Sequence, residues 1–482
     1  MYKVLMIQGT YGRFGLTAAM LKRCAIFKKN NIECATLSLD FMDNIYTIKD
    51  EFISTGKASE DLTFINPYLE LSDWEQESNQ GLNKDEIKNK KFCLIKNGNI
   101  YYYPDGNKEE SSCDRFISQK KVSISNYNNR VVFEEIYLDE VKVEDRFYSK
   151  QGLCIAIREY DKDTGKQKSF LVFDYKRTII KDYINSYNFG VKWLKSKIDI
   201  WGSSTYLICD GPFTSKKIIE AGVTNKLIYV FHHNHMQESG IYTKRDEWNI
   251  NNIKKFTTSI CLTREQKEDI ISLGVKANIS VISNFVSTYV HDNINLNFKK
   301  NRIAFVGRLV DGKGVVDAIK VISFLNHKLN LNIYLDVFGS HPTDTPNAIN
   351  RYKTIAKKEN IEDKVVFHGY SSNVLEELRE RLCLIFTSKS EGQGLVLLES
   401  LSAGTPVISY DCKYGPRSII TPGKNGDLVE LGDIQGMALN IKDLYLNDLK
   451  RSEYARGSLV AAKELTSEEV IFSKWFNLFS SI

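Results

Sequence analysis

The chain has 482 residues, which at about 150 residues per domain predicts roughly three domains. With 42% hydrophobic and 26% charged residues it has a globular composition, and its 8 prolines exclude proline-rich linkers and collagen-like segments. The balance of 65 Lys+Arg against 60 Asp+Glu leaves +5, which permits an anionic partner without requiring one, and no nucleic acid partner is expected.

No apolar run approaches the roughly 18 residues of a membrane helix. At the N-terminus, Val4-Leu5-Met6-Ile7 is too short for a secretory signal and reads as a first strand. The nine cysteines are scattered with no Cys-x-x-Cys spacing, so a reducing compartment is expected. The strand runs into Gly9-Thr-Tyr-Gly12-Arg-Phe-Gly15. Leu16, Met20, Leu21, Cys24 and Phe27 then recur at helical spacing, and Ala35, Leu37 and Leu39 alternate as in a strand. Strand, Gly-rich turn, helix and strand open a doubly wound α/β domain.

After about residue 75 the pattern changes. From Phe92 to Phe173, short runs of Ile, Val, Tyr and Phe are separated by turn signals, which predicts an antiparallel β module inserted into the first domain. Leu153–Arg158 and Ser169–Phe173 read as a hairpin around Asp161-Lys-Asp-Thr-Gly165. That turn superficially matches a metal-binding Asp-x-Asp, but its polar hairpin setting favours a plain turn. Strands at Tyr206–Cys209 and Lys226–Phe231 resume the α/β alternation. Near residue 300 a second α/β unit begins, with strands at Ile303–Val306, Asn332–Phe338, Val365–Phe367, Cys383–Phe386 and Pro406–Ser409. A helix carrying Val316, Ile319 and Ile322 follows the first of them. The chain closes on an amphipathic helix for which Thr466 and Glu469 form a capping box.

Three groups of residues carry chemistry. In Glu391-Gly-Gln-Gly-Leu-Val-Leu-Leu-Glu399, glycines let backbone amides approach an anion, and a helix starting near Gly394 points its N-terminus at the same place. Glu391 and Glu399 are two carboxylates able to accept hydrogen bonds from sugar hydroxyls. Arg308 and Lys313, in a Gly-rich turn after a strand, suit a leaving diphosphate, or else are solvated loop cations. Phe231-His-His-Asn-His235 clusters imidazoles at a strand end; no acidic or Cys partner completes a metal site, and histidine also binds sugar hydroxyls. The Gly9–Gly15 loop matches neither the dinucleotide fingerprint nor the P-loop.

These residues resemble the retaining glycosyltransferases of family four, an α/β class in which two Rossmann-like domains face a cleft (the B architecture). The resemblance is closest to the Gram-positive branch with an inserted antiparallel β module, which holds wall teichoic acid α-glycosyltransferases and the enzymes that glycosylate serine-rich or Ser-Asp-repeat adhesins. The matching stretches are Phe14-Gly-Leu-Thr17, Cys209-Asp-Gly-Pro212, His232-His-Asn-His235, Ile282-Ser-Asn-Phe-Val286, Glu391-Gly-Gln-Gly-Leu395, Ser402-Ala-Gly-Thr-Pro406 and Lys413-Tyr-Gly-Pro416. On this resemblance, residues 1–75 and 196–295 form the N-terminal acceptor-side domain. The module occupies 76–195, the nucleotide-sugar domain 296–465, and a helix at 466–482 packs back on the N-terminal domain.

The resemblance further implies that Gly15 lies by the donor diphosphate and that Arg308 and Lys313 clamp it, with amides near Gly394 and Leu395. Glu391 meets the transferred sugar, Glu399 the ribose and Tyr370 the uracil. His235 sits at the reacting sugar, with His232 as the second choice. The implied donor is UDP-glucose or UDP-N-acetylglucosamine, used with retention and with no metal or other cofactor. No carboxylate stands out as an enzymic nucleophile of the kind a retaining glycosidase uses. The implied acceptor is teichoic acid poly(polyol phosphate), with adhesin serines as runner-up. A decayed transferase acting as a binding or partner subunit is disfavoured, because Glu391, Glu399, Arg308 and Lys313 are all present. Lys84, Lys88, Lys90, Lys91 and Lys96, with a second group at Lys166, Lys168, Lys176, Arg177 and Lys181, offer positive charge to a polyphosphate. The expected assembly is a homo-oligomer held by the module, a trimer by resemblance. The expected location is cytoplasmic, with peripheral contact at the inner membrane face.

Overall fold

The computed structural model describes residues 2–10, 15–42, 44–72, 93–96, 99–102, 119–124, 131–138, 141–150, 152–173, 179–224, 226–236, 242–286, 298–341 and 346–482. Two compact units divide it: residues 1–17 with 28–227, and residues 18–27 with 228–482. Phe14, Lys84, Lys88, Lys90, Lys91, Lys176 and Arg177 lie outside the described residues.

In the first unit, β1 (Lys3–Gln8) runs parallel to β2 (Glu33–Ser38), with the helix Gly15–Lys29 between them in sequence. The short β3 (Phe64–Ile65) extends the sheet beyond β2. The expected in–out alternation at Ala35, Leu37 and Leu39 is absent: Cys34, Thr36 and Ser38 are buried as well. A central parallel strand is covered on both faces, so its pattern is continuous rather than alternating.

The inserted module is an eight-stranded sheet, every strand pairing antiparallel with its sequence neighbour. Its strands are β4 (Cys93–Lys96), β5 (Asn99–Tyr102), β6 (Gln119–Ile124), β7 (Val131–Leu138), β8 (Val141–Tyr148), β9 (Cys154–Tyr160), β10 (Gln167–Phe173) and β11 (Ile179–Tyr183). The hairpin forms as the sequence suggested. Asp161 accepts from the Thr164 amide at 2.8 Å, and Gly165 takes φ 66°. Asp161 is therefore a turn-forming residue. One face of the sheet buries Phe147, Ile155, Phe170 and Val172 against Tyr68 of the helix Pro67–Ser72 and Phe189 of the helix Ser186–Trp201. That second helix is capped by Asn185, which accepts from the Asn188 amide at 2.8 Å, and it runs through residue 195. The chain then enters β12 (Tyr206–Cys209), which pairs in parallel with β1.

In the second unit, β13 (Leu227–Phe231), β14 (Thr258–Cys261) and β15 (Ile279–Val281) are parallel neighbours. A six-stranded sheet follows, built from β16 (Arg302–Val306), β17 (Tyr334–Phe338), β18 (Val365–Gly369), β19 (Leu384–Phe386), β20 (Val407–Tyr410) and β21 (Gly426–Val429). Its order, β18-β17-β16-β19-β20-β21, is parallel throughout. This is the doubly wound order in which the chain reverses direction between the first and fourth strands. The helix Val315–His327 buries Val315, Ala318, Ile319 and Ile322 against it, while Val316 is only half-buried. Strand β21 was not foreseen: it is short, begins at a glycine and carries half-buried Asp427.

The expected capping box at Thr466 is not formed. Thr466 ends the helix Asp448–Thr466 and donates its hydroxyl to the Ala462 carbonyl at 2.9 Å. The next helix, Glu468–Ser481, is capped by Ser467, which accepts from the Val470 amide. Two helices abut there, so the cap falls one residue later than the sequence pattern implied. Trp475 and Phe479 of the last helix stand against Phe27 of the first, with centroids 5.7 and 5.5 Å apart. The Arg23 guanidinium lies 5.1 Å from the Trp475 ring centroid.

Candidate active site

In an open parallel sheet, ligands bind outside the carboxyl ends of the strands where the order reverses. Here that point lies between β16 and β19, and the loops leaving them are Gly307–Gly314 and Thr387–Gly394. The two loops are stitched together. The Thr387 hydroxyl donates to the carbonyls of Lys313 and Gly314 at 3.2 and 2.9 Å, and the Lys389 amide donates to the Gly312 carbonyl at 3.0 Å. Gly314 has φ 71°, and a Cβ there would fall 2.0 Å from the Thr387 carbonyl oxygen. Only glycine allows this approach.

On this frame Lys313 Nζ is ion-paired with Glu391 Oε1. Lys313 is 23% and Glu391 11% exposed at the side chain. Arg308 stands on the same loop with its side chain exposed. Glu391 is held through its backbone: its amide donates to the Lys413 carbonyl at 2.9 Å, and its carbonyl accepts from the Tyr414 amide at 2.8 Å. Gly394, at φ 82°, starts the helix Leu395–Ser402. The first amides of a helix have no partner within it. Glu399, on that helix, is half-buried. Burial pushes its carboxyl above the usual range, opposed by the Lys22 ammonium.

The imidazole cluster follows β13. A Cβ on Gly392 would fall 2.0 Å from the His232 carbonyl oxygen, so the cluster's backbone abuts the Glu391 loop. Asn234 Nδ2 donates to the Ser390 hydroxyl at 3.0 Å. His233 is half-buried, and its carbonyl accepts from Gln266 Nε2 at 2.7 Å. Desolvation, then the charges of Arg245, His232, Arg308 and Lys313, lower the His233 pKa to about 3.

The expectation that His235 faces the reacting sugar does not survive the structure. His235 is 0% exposed. Its ring lies parallel to Tyr414 at 5.8 Å between centroids, and neither ring nitrogen has a hydrogen-bond partner. The apolar strand end and the Tyr414 ring enclose it. The half-buried imidazoles of the cluster are His232 and His233, and the charges of Arg308 and Lys313 act on His233.

Tyr370 follows β18 and is 51% exposed. The end of its strand is fixed by His368, whose Nε2 lies 2.7 Å from Asp336 and whose ring stacks on Phe338 at 4.6 Å. Burial opposes the ionisation of Asp336, but bonds from Arg302, His368 and Arg381 hold its pKa at about 2. The structure therefore brings Lys313 and Glu391 into contact. Arg308 shares a loop with Lys313, and Gly394, Leu395 and Glu399 share one helix. Gly15 begins the helix Gly15–Lys29 and belongs to the first unit. Sequence reasoning passed over Gln393, His233 and Tyr414. The signal for Gln393 is a polar residue between two glycines. Among the described residues no group of three or more His, Cys, Asp or Glu is placed to hold a metal, and no helix is long and apolar enough to cross a membrane.

Residues 289–458 match the family of glycosyl transferases group 1. Across its length the chain is 26% identical to the poly(ribitol-phosphate) α-N-acetylglucosaminyltransferase of Staphylococcus aureus, over 97% of each chain. It is 27% identical to the poly(glycerol-phosphate) α-glucosyltransferase of Bacillus subtilis, over 37% of this chain and 26% of the relative. Among solved structures, a point mutant of S. aureus TarM in complex with fondaparinux, α-GlcNAc-glycerol and UDP superposes with a TM-score of 0.81 at 23% identity, covering 99% of this chain and 100% of that one. The pneumococcal O-GlcNAc transferase GtfA superposes with a TM-score of 0.75 at 16% identity, covering 100% and 99%.

The fold is the two-Rossmann B architecture, and residues 289–458 carry a domain that matches the glycosyl transferases group 1. Within that architecture the chain is similar, over nearly its whole length, to a teichoic acid glycosyltransferase and, in fold, to an O-GlcNAc transferase.

Proposed function

We propose that the chain transfers N-acetylglucosamine, or glucose as the second choice, from a UDP-sugar to hydroxyls of a teichoic acid poly(polyol phosphate), with retention. The observation that carries this reading is the pairing of Lys313 with Glu391 beside Arg308 at the point where the strand order reverses. Two cations there suit the diphosphate, whose charge grows as its bond to the sugar breaks. Glu391 accepts hydrogen bonds from the transferred sugar, Glu399 from the ribose, and Tyr370 covers the base. The amides of Gly394 and Leu395 add donors to the phosphates, and Gly15 lies on the same diphosphate. His232 or His233 replaces His235 at the sugar.

The acceptor oxygen attacks the anomeric carbon on the face that the leaving group departs. The anomeric carbon–oxygen bond to the diphosphate breaks, and the acceptor's proton passes to a phosphate oxygen. Arg308 and Lys313 supply positive charge to that phosphate, so the reaction is read as independent of added metal.

Supporting N-acetylglucosamine and polyol phosphate over the alternatives is the relative similar over 97% of both chains, whose name gives that sugar and acceptor. The same reading makes the chain a cytoplasmic homo-oligomer, a trimer first, working at the inner membrane face; light scattering of the full chain checks the assembly.

The test is a matrix of donors and acceptors. UDP-N-acetylglucosamine and UDP-glucose are each offered with poly(ribitol phosphate), poly(glycerol phosphate) and a serine-rich peptide, and the anomeric configuration of the product is read by NMR. An α-linked sugar on a polyol phosphate is the expected product. Transfer to the peptide alone would replace the acceptor, and a β product would remove retention.

A further inference from the structure

Gln393 lies in the Glu391 loop and is only 4% exposed. A buried primary amide is costly unless its two donors and its acceptor lone pairs are used. Here all are. Its Oε1 accepts from the backbone amide of Asn284 at 3.1 Å and from Asn284 Nδ2 at 3.0 Å. Its Nε2 donates to the Ser283 hydroxyl at 2.6 Å and to the Leu262 carbonyl at 3.3 Å. Leu262 follows β14, and Ser283 and Asn284 follow β15. One side chain thus ties the Glu391 loop to the carboxyl ends of two strands of the other sheet in this unit.

The neighbouring backbone leaves little slack. Gly415 sits where a Cβ would fall 1.8 Å from the Gln393 carbonyl oxygen, and Gly392 abuts the His232 carbonyl. Glu391, two residues before Gln393, bonds through its backbone to Lys413 and Tyr414 and through its carboxylate to Lys313. A shift of Gln393 therefore reaches Glu391 through two short, constrained peptide units.

We propose that Gln393 is a positioning residue for the transfer reaction: its amide fixes the loop so that the Glu391 carboxylate is already in place for the sugar. The proposal rests on the glycosyltransferase reading above. It assigns Gln393 no contact with substrate and adds a residue to the machinery beyond those named in the proposed function. An apolar residue of the same size would fill the space, yet it would leave the Asn284 amide and the Leu262 carbonyl without partners.

The test uses the full chain with Gln393→Leu, and Ser283→Ala as a milder variant that removes a single partner. Two readouts are taken. The first is amide hydrogen exchange without ligand at Asn284, whose N–H donates directly to Gln393, and at Glu391. In Gln393→Leu both are expected to exchange about tenfold faster, the effect of losing one hydrogen bond. The second is donor kinetics. Misplacing a group by an ångström costs about a hundredfold, so kcat should fall by that order while the donor KM stays near that of the parent chain. Ser283→Ala should fall between the two. Unchanged exchange at Asn284 and Glu391 overturns the proposal, and so does faster exchange with an unaltered kcat. A parent chain that turns over no sugar nucleotide removes the functional reading instead, and the exchange arm still decides whether Gln393 holds the loop.

Discussion

Lys313 and Glu391, 78 residues apart in sequence, meet as an ion pair across the two loops that leave β16 and β19. Each is held from behind. Lys313 and Gly314 accept through their carbonyls from Thr387, and Glu391 is fixed through its backbone by Lys413 and Tyr414. In the unliganded protein the pair keeps a cation and a carboxylate oriented at little cost. In the proposed reaction the cation turns to the donor phosphate and the carboxylate to the sugar hydroxyls.

From this pair the first prediction follows. Lys313→Ala and Glu391→Gln are each expected to cut turnover by about 10²–10³-fold, the usual effect of removing a group that stabilises developing charge. The fold should persist, because neither side chain belongs to the hydrophobic cores. Turnover in steady state and melting by circular dichroism check both halves. A variant that melts normally and works at the parent rate would take its residue out of the site.

Arg308 carries the second prediction. Its guanidinium is exposed on the loop that also bears Lys313, and in the proposed reaction these two cations would do at the diphosphate the work that a divalent ion does elsewhere. Activity is therefore expected to persist in excess EDTA, and Arg308→Ala is expected to weaken UDP binding in calorimetry without lowering the melting temperature. A strict dependence on manganese or magnesium would refute the charge assignment.

Much of this site was legible in the sequence because its parts are local. A strand, a Gly-rich turn and a helix start are written in consecutive residues, so Arg308, Lys313, Glu391 and Gly394 could be placed at strand ends without any tertiary information. The misread parts depended on what packs from far away. The family resemblance pointed to His235 within a cluster of three imidazoles, but the ring of Tyr414, remote in sequence, covers it. Gln393 was passed over for the same reason: its four partners are Leu262, Ser283 and both amides of Asn284, more than a hundred residues earlier. The cap at Ser467 was displaced by the preceding helix, whose weak amphipathic pattern gave no boundary at Thr466. In the fold, β2 was read as alternating because Cys34, Thr36 and Ser38 are small and polar. Burial on both faces of a parallel strand accepts such residues when they are small.

The third prediction concerns the last helix. Trp475 is 2% exposed and is packed by Phe27, Phe479 and Arg23. Replacing a buried Trp by Ala removes its apolar surface and leaves a cavity, for about 3–5 kcal/mol. Trp475→Ala is expected to lower the urea midpoint accordingly, with Trp475→Phe intermediate. A loss below about 1 kcal/mol, the level of an ordinary surface change, would mean that the helix is not docked on Phe27.

The last prediction is a pH dependence of stability at His233. Its pKa falls from 6.5 to about 3 on folding, first through desolvation and then through nearby cations. A base whose folded pKa is depressed is neutral in the folded chain while the unfolded chain takes up a proton. Its contribution to stability is full above pH 6.5 and is lost as the pH falls from 6.5 towards 3. The limiting slope is about 1.4 kcal/mol per pH unit for one proton. His235, also lowered by burial, acts in the same direction. Burial raises the carboxyls of Glu265 and Glu399; these favour the folded chain at low pH and lose that contribution as the pH rises past 4.5. The total curve is therefore a poor readout, and a variant difference isolates one group. His233→Gln keeps the backbone carbonyl that accepts from Gln266 and removes the titrating ring. Urea unfolding of parent and variant at pH 7 and pH 5 should show the parent's relative stability falling by up to about 2 kcal/mol between those values. Parallel curves over that interval would mean that His233 takes up its proton in the folded chain, and that neither burial nor Arg245, Arg308 and Lys313 keeps the ring neutral.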